Sequence, residues 1–374
     1  MNKEDIFICI QCVKDIRYKK LLEQKGSEAK CSCCENNNLI IDTNSNDFIQ
    51  LTKALIRYHY SEWIYNEEFG GDHYCSLLFS DESLFFNVDR FNPEVLDELS
   101  DRIYLFGGSY DSYEPGVSLF SGYYDTYKLP LLESIKSDLD SSILKIEKQL
   151  LVENYFQYEA EISKLLSIYA DSCQMIIKKD SEFFRARIGY QDEQRVHYNS
   201  EVETKTIYIA YSGDKIGAPP PNIVGTGRIN RPGVSYLYCA TDEYTAISEI
   251  RPHPGDVVSI GKFLAGENLN IFDLTETQFL NYFESDKKIK DFKILNTFTE
   301  LLQKIIPPSK RDEYNITQLI ADCIRKLDFA GILFPSSVGN GDNLVIFNPK
   351  DMYFDNKGSK AVIVNKVSYE YFNN

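Results

Sequence analysis

Several features that define other protein classes are missing from this chain of 374 residues. No apolar run reaches the roughly 20 residues that a transmembrane helix needs. The start, MNKEDIFICIQC, lacks the apolar segment and small-residue cleavage site of a secretory signal. Internal repeats and long low-complexity segments are also absent. The first two absences predict a cytoplasmic protein without a membrane partner.

Basic residues are scarce, with 40 Lys and Arg against 56 Asp and Glu, which gives a formal net charge of −16. A surface this acidic repels nucleic acid, so nucleic-acid binding is not expected. The arginines are nevertheless concentrated, because six of the 12 lie between residues 185 and 251. Arginine suits bidentate recognition of phosphates and carboxylates. The pattern therefore predicts a small anionic ligand. The six are Arg185, Arg187, Arg195, Arg228, Arg231 and Arg251.

Nine cysteines, an odd number, argue against a disulfide framework, and five of them lie within residues 9–34. Cys9 with Cys12 and Cys31 with Cys34 form two C-x2-C pairs, the spacing of a zinc ribbon. Four thiolates leave no open position on the metal, so the predicted zinc is structural. Cys33 leaves the second pair ambiguous, and the alternative is a reduced, metal-free cysteine-rich segment.

The chain divides into three zones by composition and periodicity. Residues 1–41 form the zinc-ribbon-like segment, and residues 42–172 are mainly helical. From residue 173 to residue 374, short β-type runs such as VSYLYCA and VVSIGKFLA alternate irregularly with helical stretches such as TQLIADCIRKL. Irregular alternation predicts an α+β domain with a mixed sheet, and it disfavours a doubly wound parallel sheet.

Four short motifs in the last zone combine arginine, glutamate and serine. They are FFRARIG from residue 183, GRINRPG from residue 227, YLYCATDEYTAISE from residue 236 and FPSS from residue 334. Arg185 and Arg187 stand two apart on a strand and therefore share a face. Glu249 ends a short helix stopped by Pro252, where the helix dipole disfavours negative charge. An uncompensated violation of this kind is typical of a functional site.

These motifs, in this order, resemble the RES domain, which is named for an arginine, a glutamate and a serine. The resemblance covers about residues 180–350. Members of the family are toxins of toxin–antitoxin pairs and related effectors. The N-terminal half is similar to the HEPN-like extension of some RES proteins, but Arg57 and His59 stand too close together for the ribonuclease motif of active HEPN domains. RNA cleavage is therefore not expected.

The resemblance implies a fold similar to diphtheria-toxin-type ADP-ribosyltransferases and cleavage of NAD at the nicotinamide–ribose bond. It leaves open whether Arg185 or Arg187 is the family's arginine, and whether Ser336 or Ser337 is its serine. The residues that it assigns to catalysis are Arg185, Glu249, Ser336 and Tyr238. Those that it assigns to NAD binding are Arg187, Arg228, Asn230, Gly233 and Ser337.

The chemistry of NAD fits these residue types. Arginines and loop N–H groups bind a pyrophosphate, and tyrosine stacks on the cationic nicotinamide ring. A carboxylate stabilises the oxocarbenium-like ribose that forms as neutral nicotinamide leaves. Serine is open to two roles, as a hydrogen-bond partner of the nicotinamide amide or of a phosphate.

The leading hypothesis is an NAD-consuming toxin that arrests growth, including in defence against phage, restrained by an antitoxin or by its own N-terminal residues. Six arginines exceed the needs of one pyrophosphate, which favours inorganic phosphate over water as the acceptor of ADP-ribose. Two alternatives remain: mono-ADP-ribosylation of a macromolecule, and a non-catalytic protein that binds NAD or a partner.

Overall fold

The computed structural model describes residues 5–65, 70–72, 74–80, 83–104, 131–198, 203–307, 310 and 313–368. The chain forms two compact units. The first unit comprises Met1–Ser141 and Glu276–Thr297, and the second comprises Ser142–Thr275 and Phe298–Asn374. The zinc-ribbon-like segment lies within the first unit and is not a unit of its own. Boundaries at residues 41 and 172 stay a prediction.

The first unit combines a small antiparallel sheet with helices. Its three strands follow the order β1-β3-β2. The elements are β1 (Phe7–Cys9), α1 (Ile16–Lys25), β2 (Ser27–Lys30), β3 (Asn37–Asp42), α2 (Asn46–His59), α3 (Glu62–Tyr65), α4 (Tyr74–Phe79) and α5 (Pro93–Tyr104).

Helix α2 shows why the helical prediction succeeds in this unit. Ser45 caps its N-terminus by accepting from the backbone N–H of Phe48. Apolar side chains that recur at helical spacing make the buried stripe of an amphipathic helix, and Phe48, Leu51 and Leu55 are fully buried in α2.

The second unit mixes strands and helices without strict alternation, as the sequence predicts from residue 173 onwards. They are α6 (Ser141–Gln149), α7 (Glu159–Tyr169), β4 (Gln174–Ile177), β5 (Glu182–Ile188), β6 (Asp192–Tyr198), β7 (Glu203–Ile209), β8 (Leu237–Ala240), α8 (Glu243–Glu249), β9 (Val257–Ala265), β10 (Leu269–Asp273), α9 (Asp286–Gln303), α10 (Asn315–Lys326), β11 (Gly331–Pro335), β12 (Asp342–Ile346), β13 (Met352–Phe354) and β14 (Lys360–Ile363). Helix α9 contributes residues to both units.

One mixed sheet organises this unit. Among the described residues its strands follow the order β13-β9-β5-β8-β12-β11-β10-β4, with β14 also paired to β9. Strands β10 and β11 are parallel, and the other neighbouring pairs in this order are antiparallel. Strands β6 and β7 form a separate hairpin. The prediction of an α+β fold with a mixed sheet is confirmed.

The two faces of the sheet have separate cores. Leu237, Cys239 and Leu344 belong to the core on one face. On the other face, Ala240 and Ile260 pack with Ala246 of helix α8. Helix α8 therefore covers the sheet, and it carries Glu249 at its last position. Within the described part of the chain, no helix is long and apolar enough to cross a bilayer.

Candidate functional site

A cavity of about 220 Å³ lies between helix α8 and the central strands of the sheet. The helix contributes one wall and the strands contribute the floor. The lining residues are Phe184, Arg185, Ala186, Arg228, Tyr238, Cys239, Ala240, Ala246, Glu249, Ile250, Phe334 and Asn343. Most of this surface is apolar, and the charged groups on it are two arginines and one glutamate. This composition suits a ligand that is partly aromatic and partly anionic.

The floor is built from directly opposed positions on four adjacent strands. Ala240 is paired with Phe184 of β5 on one side and with Asn343 of β12 on the other, and Asn343 is in turn opposite Phe334 of β11. Directly opposed residues of neighbouring strands share a face of the sheet. A single asparagine therefore stands in an apolar row made of two phenylalanines and an alanine.

Glu249 is placed at the cavity by the end of helix α8. Asp242 caps the helix N-terminus, and the helix ends at Glu249, where the dipole disfavours a carboxylate. Two short hydrogen bonds compensate. Ser336 Oγ and Asn343 Nδ2 each donate to Glu249 Oε1 over 2.6 Å. No described residue donates to the other oxygen, Oε2.

Ser336 is held by the turn that follows it. Its Oγ accepts hydrogen bonds from the backbone N–H groups of Val338 and Gly339, at 3.2 and 3.0 Å. The turn approaches helix α8 closely, since a Cβ on Gly341 would lie 2.0 Å from a carboxylate oxygen of Asp242. The glycines of the turn thus allow it to pack closely on the N-terminal part of helix α8, while Ser336 reaches Glu249 at the C-terminal end.

Arg185 lies where the sheet opens. Strands β5 and β8 are paired only at Phe184 and Ala240, whereas β5 continues along β9. The guanidinium of Arg185 spans the resulting gap, donating to the carbonyl oxygens of Tyr238 and Ile216, each over 2.8 Å.

No carboxylate of the described residues forms an ion pair with Arg185. Burial lowers the pKa of this arginine, and the charge of Arg187 adds to the effect. An arginine side chain remains protonated in proteins even so. The cavity therefore contains a largely desolvated positive charge that no described carboxylate neutralises, which is an attractive position for an anion.

The other arginines of the predicted cluster do not all reach the cavity. Arg228 lines it and donates to the carbonyl of Leu302. Arg187 is exposed and lies over the ring of Tyr211, 5.3 Å from its centroid. Arg231 forms an ion pair with Asp322. Of the six clustered arginines, Arg185 and Arg228 line this cavity, so the cluster as a whole does not surround it.

The loop with the GRINRPG motif supports the cavity through Tyr238. The Tyr238 hydroxyl donates to Asn230 Oδ1 over 2.7 Å and accepts from the Ile229 N–H. Asn230 is 5% exposed, and its amide nitrogen donates to two loop carbonyls. Burial also raises the pKa of Tyr238. Tyr238 thus contributes to the cavity wall, and Asn230 fixes the loop behind it without lining the cavity.

Two further predicted binding residues lie outside the cavity lining. Gly233 has a φ of +80°, a conformation that favours glycine, and it is exposed in a turn. Ser337 Oγ is buried and has no hydrogen-bond partner among the described residues. The structure thus brings Ser336, and not Ser337, to Glu249.

Eight of the twelve lining residues were not among those predicted, and three of the eight are an aromatic pair and an amide: Phe184, Phe334 and Asn343. Phe184 and Phe334 belong to the motifs FFRARIG and FPSS, but their apolar side chains are typical of ordinary core residues. Asn343 follows a glycine-rich turn and is the second residue of β12. Only the register of β12 against β8 reveals that this asparagine faces Glu249.

The predicted metal ligands come together in the first unit. The Sγ atoms of Cys9, Cys12, Cys31 and Cys34 all lie within 4.8 Å of one another. Three of the pairs, Cys9–Cys12, Cys9–Cys34 and Cys12–Cys31, have Sγ atoms 3.7 to 3.9 Å apart. Zinc bound tetrahedrally to sulfur at about 2.3 Å places its ligands about 3.8 Å apart, so these four thiols fit zinc. Cys33 is buried beside them, but it is not one of the four.

Comparison with family models gives a match that covers most of the second unit and also residues 276–297 of the first. Residues 195–362 match the model of the RES domain. Glu249, Tyr238, Ser336 and Asn343 fall inside this match, and Arg185 lies just upstream of it.

One solved structure is also similar to this chain. It is the crystal structure of the M.tuberculosis MbcT-MbcA toxin–antitoxin complex, of which one chain is 13% identical, with a TM-score of 0.30. The similarity covers 55% of this chain and 94% of that one. No curated protein matches this chain. The match over residues 195–362 confirms the predicted resemblance to the RES domain.

Proposed function

We propose that this protein cleaves the bond between nicotinamide and ribose in NAD. One observation carries the proposal: a fixed carboxylate, Glu249, faces a cavity that also contains an arginine without a counterion among the described residues, Arg185. A ligand that complements both groups has an anionic part and a part that becomes cationic during reaction. NAD has both, in its pyrophosphate and in its reacting ribose.

The three charged lining residues and two phenylalanines have roles in this reaction. Arg185 and Arg228 each donate to backbone carbonyls with some of their N–H groups. Their remaining N–H groups hold the pyrophosphate. Phe184 and Phe334 provide apolar floor for the nicotinamide ring. The cavity is smaller than the roughly 300–1,000 Å³ of sites that enclose a drug-sized ligand, so it encloses the nicotinamide–ribose end of the dinucleotide.

Glu249 acts on the ribose. As the bond from C1′ to the nicotinamide nitrogen breaks, the electron pair leaves with neutral nicotinamide, and positive charge develops at C1′. Glu249 Oε2 accepts from the ribose hydroxyls and stabilises this charge at close range. No general acid is needed for the leaving group. This agrees with Tyr238, whose hydroxyl is already engaged, and with Cys239, whose thiol pKa burial raises to about 12.

The purified protein is expected to release nicotinamide from NAD, because these groups need no further component. Glu249→Gln keeps the size of the side chain but removes its charge, and we expect release to fall by at least about 100-fold, the scale of losing one electrostatic stabiliser. Glu243→Gln is the matched control on the same helix, where Glu243 forms an ion pair with Lys360 away from the cavity. Equal release by wild type and Glu249→Gln would contradict the proposal.

The products identify the acceptor at C1′. Water gives free ADP-ribose, inorganic phosphate gives ADP-ribose-1″-phosphate, and transfer to a macromolecule gives a labelled macromolecule. The number of arginines no longer favours phosphate, since only Arg185 and Arg228 of the predicted cluster line the cavity. Mass spectrometry of the reaction with and without phosphate separates the three.

In a cell, NAD cleavage of this kind depletes the cofactor and arrests growth, which is the action of a toxin. We propose that a separately encoded antitoxin restrains it, as the family resemblance implies. The RES-domain match supports this proposal.

We also propose that Cys9, Cys12, Cys31 and Cys34 hold a structural zinc ion. Support comes from the tetrahedral spacing of their sulfur atoms and from the position of each pair at a turn beside the small sheet. Zinc bound there would crosslink the two turns and stabilise the fold of the first unit. With four protein ligands it takes no part in the reaction.

A further inference from the structure

Asn343 is a buried polar residue on an otherwise apolar row of the sheet. It is 8% exposed and stands between Ala240 and Phe334 on the neighbouring strands. Burying an amide costs free energy unless its groups find hydrogen-bond partners. An aliphatic residue would fit the surrounding surface better, so the presence of asparagine calls for a reason.

The reason is the hydrogen bond that Asn343 donates to Glu249. Its Nδ2 lies 2.6 Å from Oε1, the same oxygen that accepts from Ser336 Oγ. Hydrogen bonds to an ionised carboxylate are short and about twice as strong as neutral ones. Two donors on one oxygen fix the rotation of the carboxylate. The other oxygen, Oε2, is left as the acceptor for a ligand.

Ser336 has no donor left for a substrate. Its one hydroxyl proton goes to Glu249, and its oxygen accepts from the N–H groups of Val338 and Gly339. Neither role predicted for this serine, contact with the nicotinamide amide or with a phosphate, is compatible with this arrangement. Ser336 therefore acts through Glu249, and Asn343 does the same from the sheet.

We propose that Asn343 is a positioning residue of the active site, which together with Ser336 directs Glu249 Oε2 at the ribose. The proposal rests on the proposed NAD cleavage and adds to it a residue outside the arginine, glutamate and serine of the motif. Asn343 is provided by the sheet and Ser336 by the turn after β11. The carboxylate is thus held from two independent elements, and its position does not depend on the end of helix α8 alone.

Two variants separate positioning from folding. Asn343→Leu removes the donor but suits the apolar row, so we expect its melting temperature to stay at or above the wild-type value. Its kcat should fall about 100-fold, the cost of misplacing a catalytic group by about 1 Å. KM should change little, because Arg185 and Arg228 still hold the pyrophosphate.

Asn343→Asp replaces the donor by a second carboxylate beside Glu249. Two carboxylates that share a site cannot both ionise easily, so the pKa of one of them rises. The acid limb of the kcat profile should therefore move to higher pH in this variant. Asn268→Asp is the matched control: Asn268 is exposed, and its side-chain oxygen accepts from Lys179 N–H, a bond that aspartate keeps.

The outcomes are distinct. A wild-type protein that cleaves NAD, with Asn343→Leu at wild-type kcat, would overturn the positioning role but leave the proposed function standing. A stable wild-type protein that releases no nicotinamide would overturn the proposed function itself. Asn343→Leu that melts far below wild type, with an unmoved pH profile in Asn343→Asp, would assign Asn343 to folding and also contradict the inference.

Discussion

At the scale of single residues, the sequence identifies Glu249 by its unfavourable position at the end of a helix. A carboxylate at a helix C-terminus lacks local stabilisation. The structure supplies stabilisation from Ser336 and Asn343, which are 87 and 94 positions away in the chain. Ser336 was predictable from its motif, but Asn343 was not, since its role depends on strand register. Local sequence rules identify a residue that lacks stabilisation, but they do not identify the distant residue that stabilises it.

A buried charged cluster in the first unit gives a second test at this scale. Asp15 and Arg17 are almost fully buried, and Arg17 Nε lies 3.0 Å from Asp15 Oδ1. Arg17 Nη2 also lies 3.3 Å from His59 Nε2, which must then accept the hydrogen bond as a neutral ring. Burial lowers the pKa of His59, and the charge of Arg17 contributes, although Asp15 opposes the shift.

The lowered pKa of His59 predicts acid sensitivity of the first unit. Below the usual histidine pKa of about 6.5, the unfolded chain binds a proton that the folded chain does not, so stability falls as pH decreases. Melting curves recorded at about pH 7.5 and about pH 5.5, on either side of that value, should show a smaller decrease for His59→Gln. His253→Gln, at an exposed site, is the control and should behave as wild type. An equal decrease in all three proteins would contradict the assignment.

At the scale of elements, hydrophobic periodicity predicted where strands and helices lie, but it did not predict which strands pair. The strands VSYLYCA and VVSIGKFLA and the helix TQLIADCIRKL are found near their predicted positions, as β8, β9 and α10. Their apolar spacing is a local property. The order of the sheet, with β5 between β8 and β9, arises from contacts between distant segments. The cavity lies where that order makes β5 and β8 separate, so its shape could not be predicted.

The two turns that carry the cysteine pairs lead to a prediction about the zinc content of the protein. Protein purified under reducing conditions should carry about one zinc per chain, because the four sulfur atoms supply one tetrahedral shell. Replacing Cys9 and Cys12 together by serine should remove the zinc and lower the melting temperature of the first unit. Elemental analysis measures the metal content.

Cys33→Ala is the control for this prediction, because Cys33 is buried beside the four sulfur atoms but is not one of them. It should retain the zinc. Wild-type protein without zinc would refute the site, and loss of zinc from Cys33→Ala would show that the wrong four thiols were chosen.

At the scale of the whole molecule, composition indicated an anionic ligand but overestimated the number of arginines that line its cavity. The concentration of arginines in an acidic chain pointed to a small anion, and two of those arginines do line the cavity. Others are exposed or paired, because closeness in the sequence does not determine where each side chain ends. The units also differ from the zones seen in the sequence, since residues 276–297 belong to the first unit although they lie within the predicted RES region. A segment that belongs to the first unit after part of the second unit has already been formed cannot be recognised from its local sequence.

The most direct test of the central claim is a crystal structure of Glu249→Gln soaked with NAD, because this variant should bind the dinucleotide without cleaving it. We predict intact NAD with its nicotinamide between Phe184 and Phe334, its pyrophosphate on Arg185 and Arg228, and its ribose hydroxyls at residue 249. NAD bound elsewhere, or a cavity that stays empty at saturating NAD, would contradict the claim.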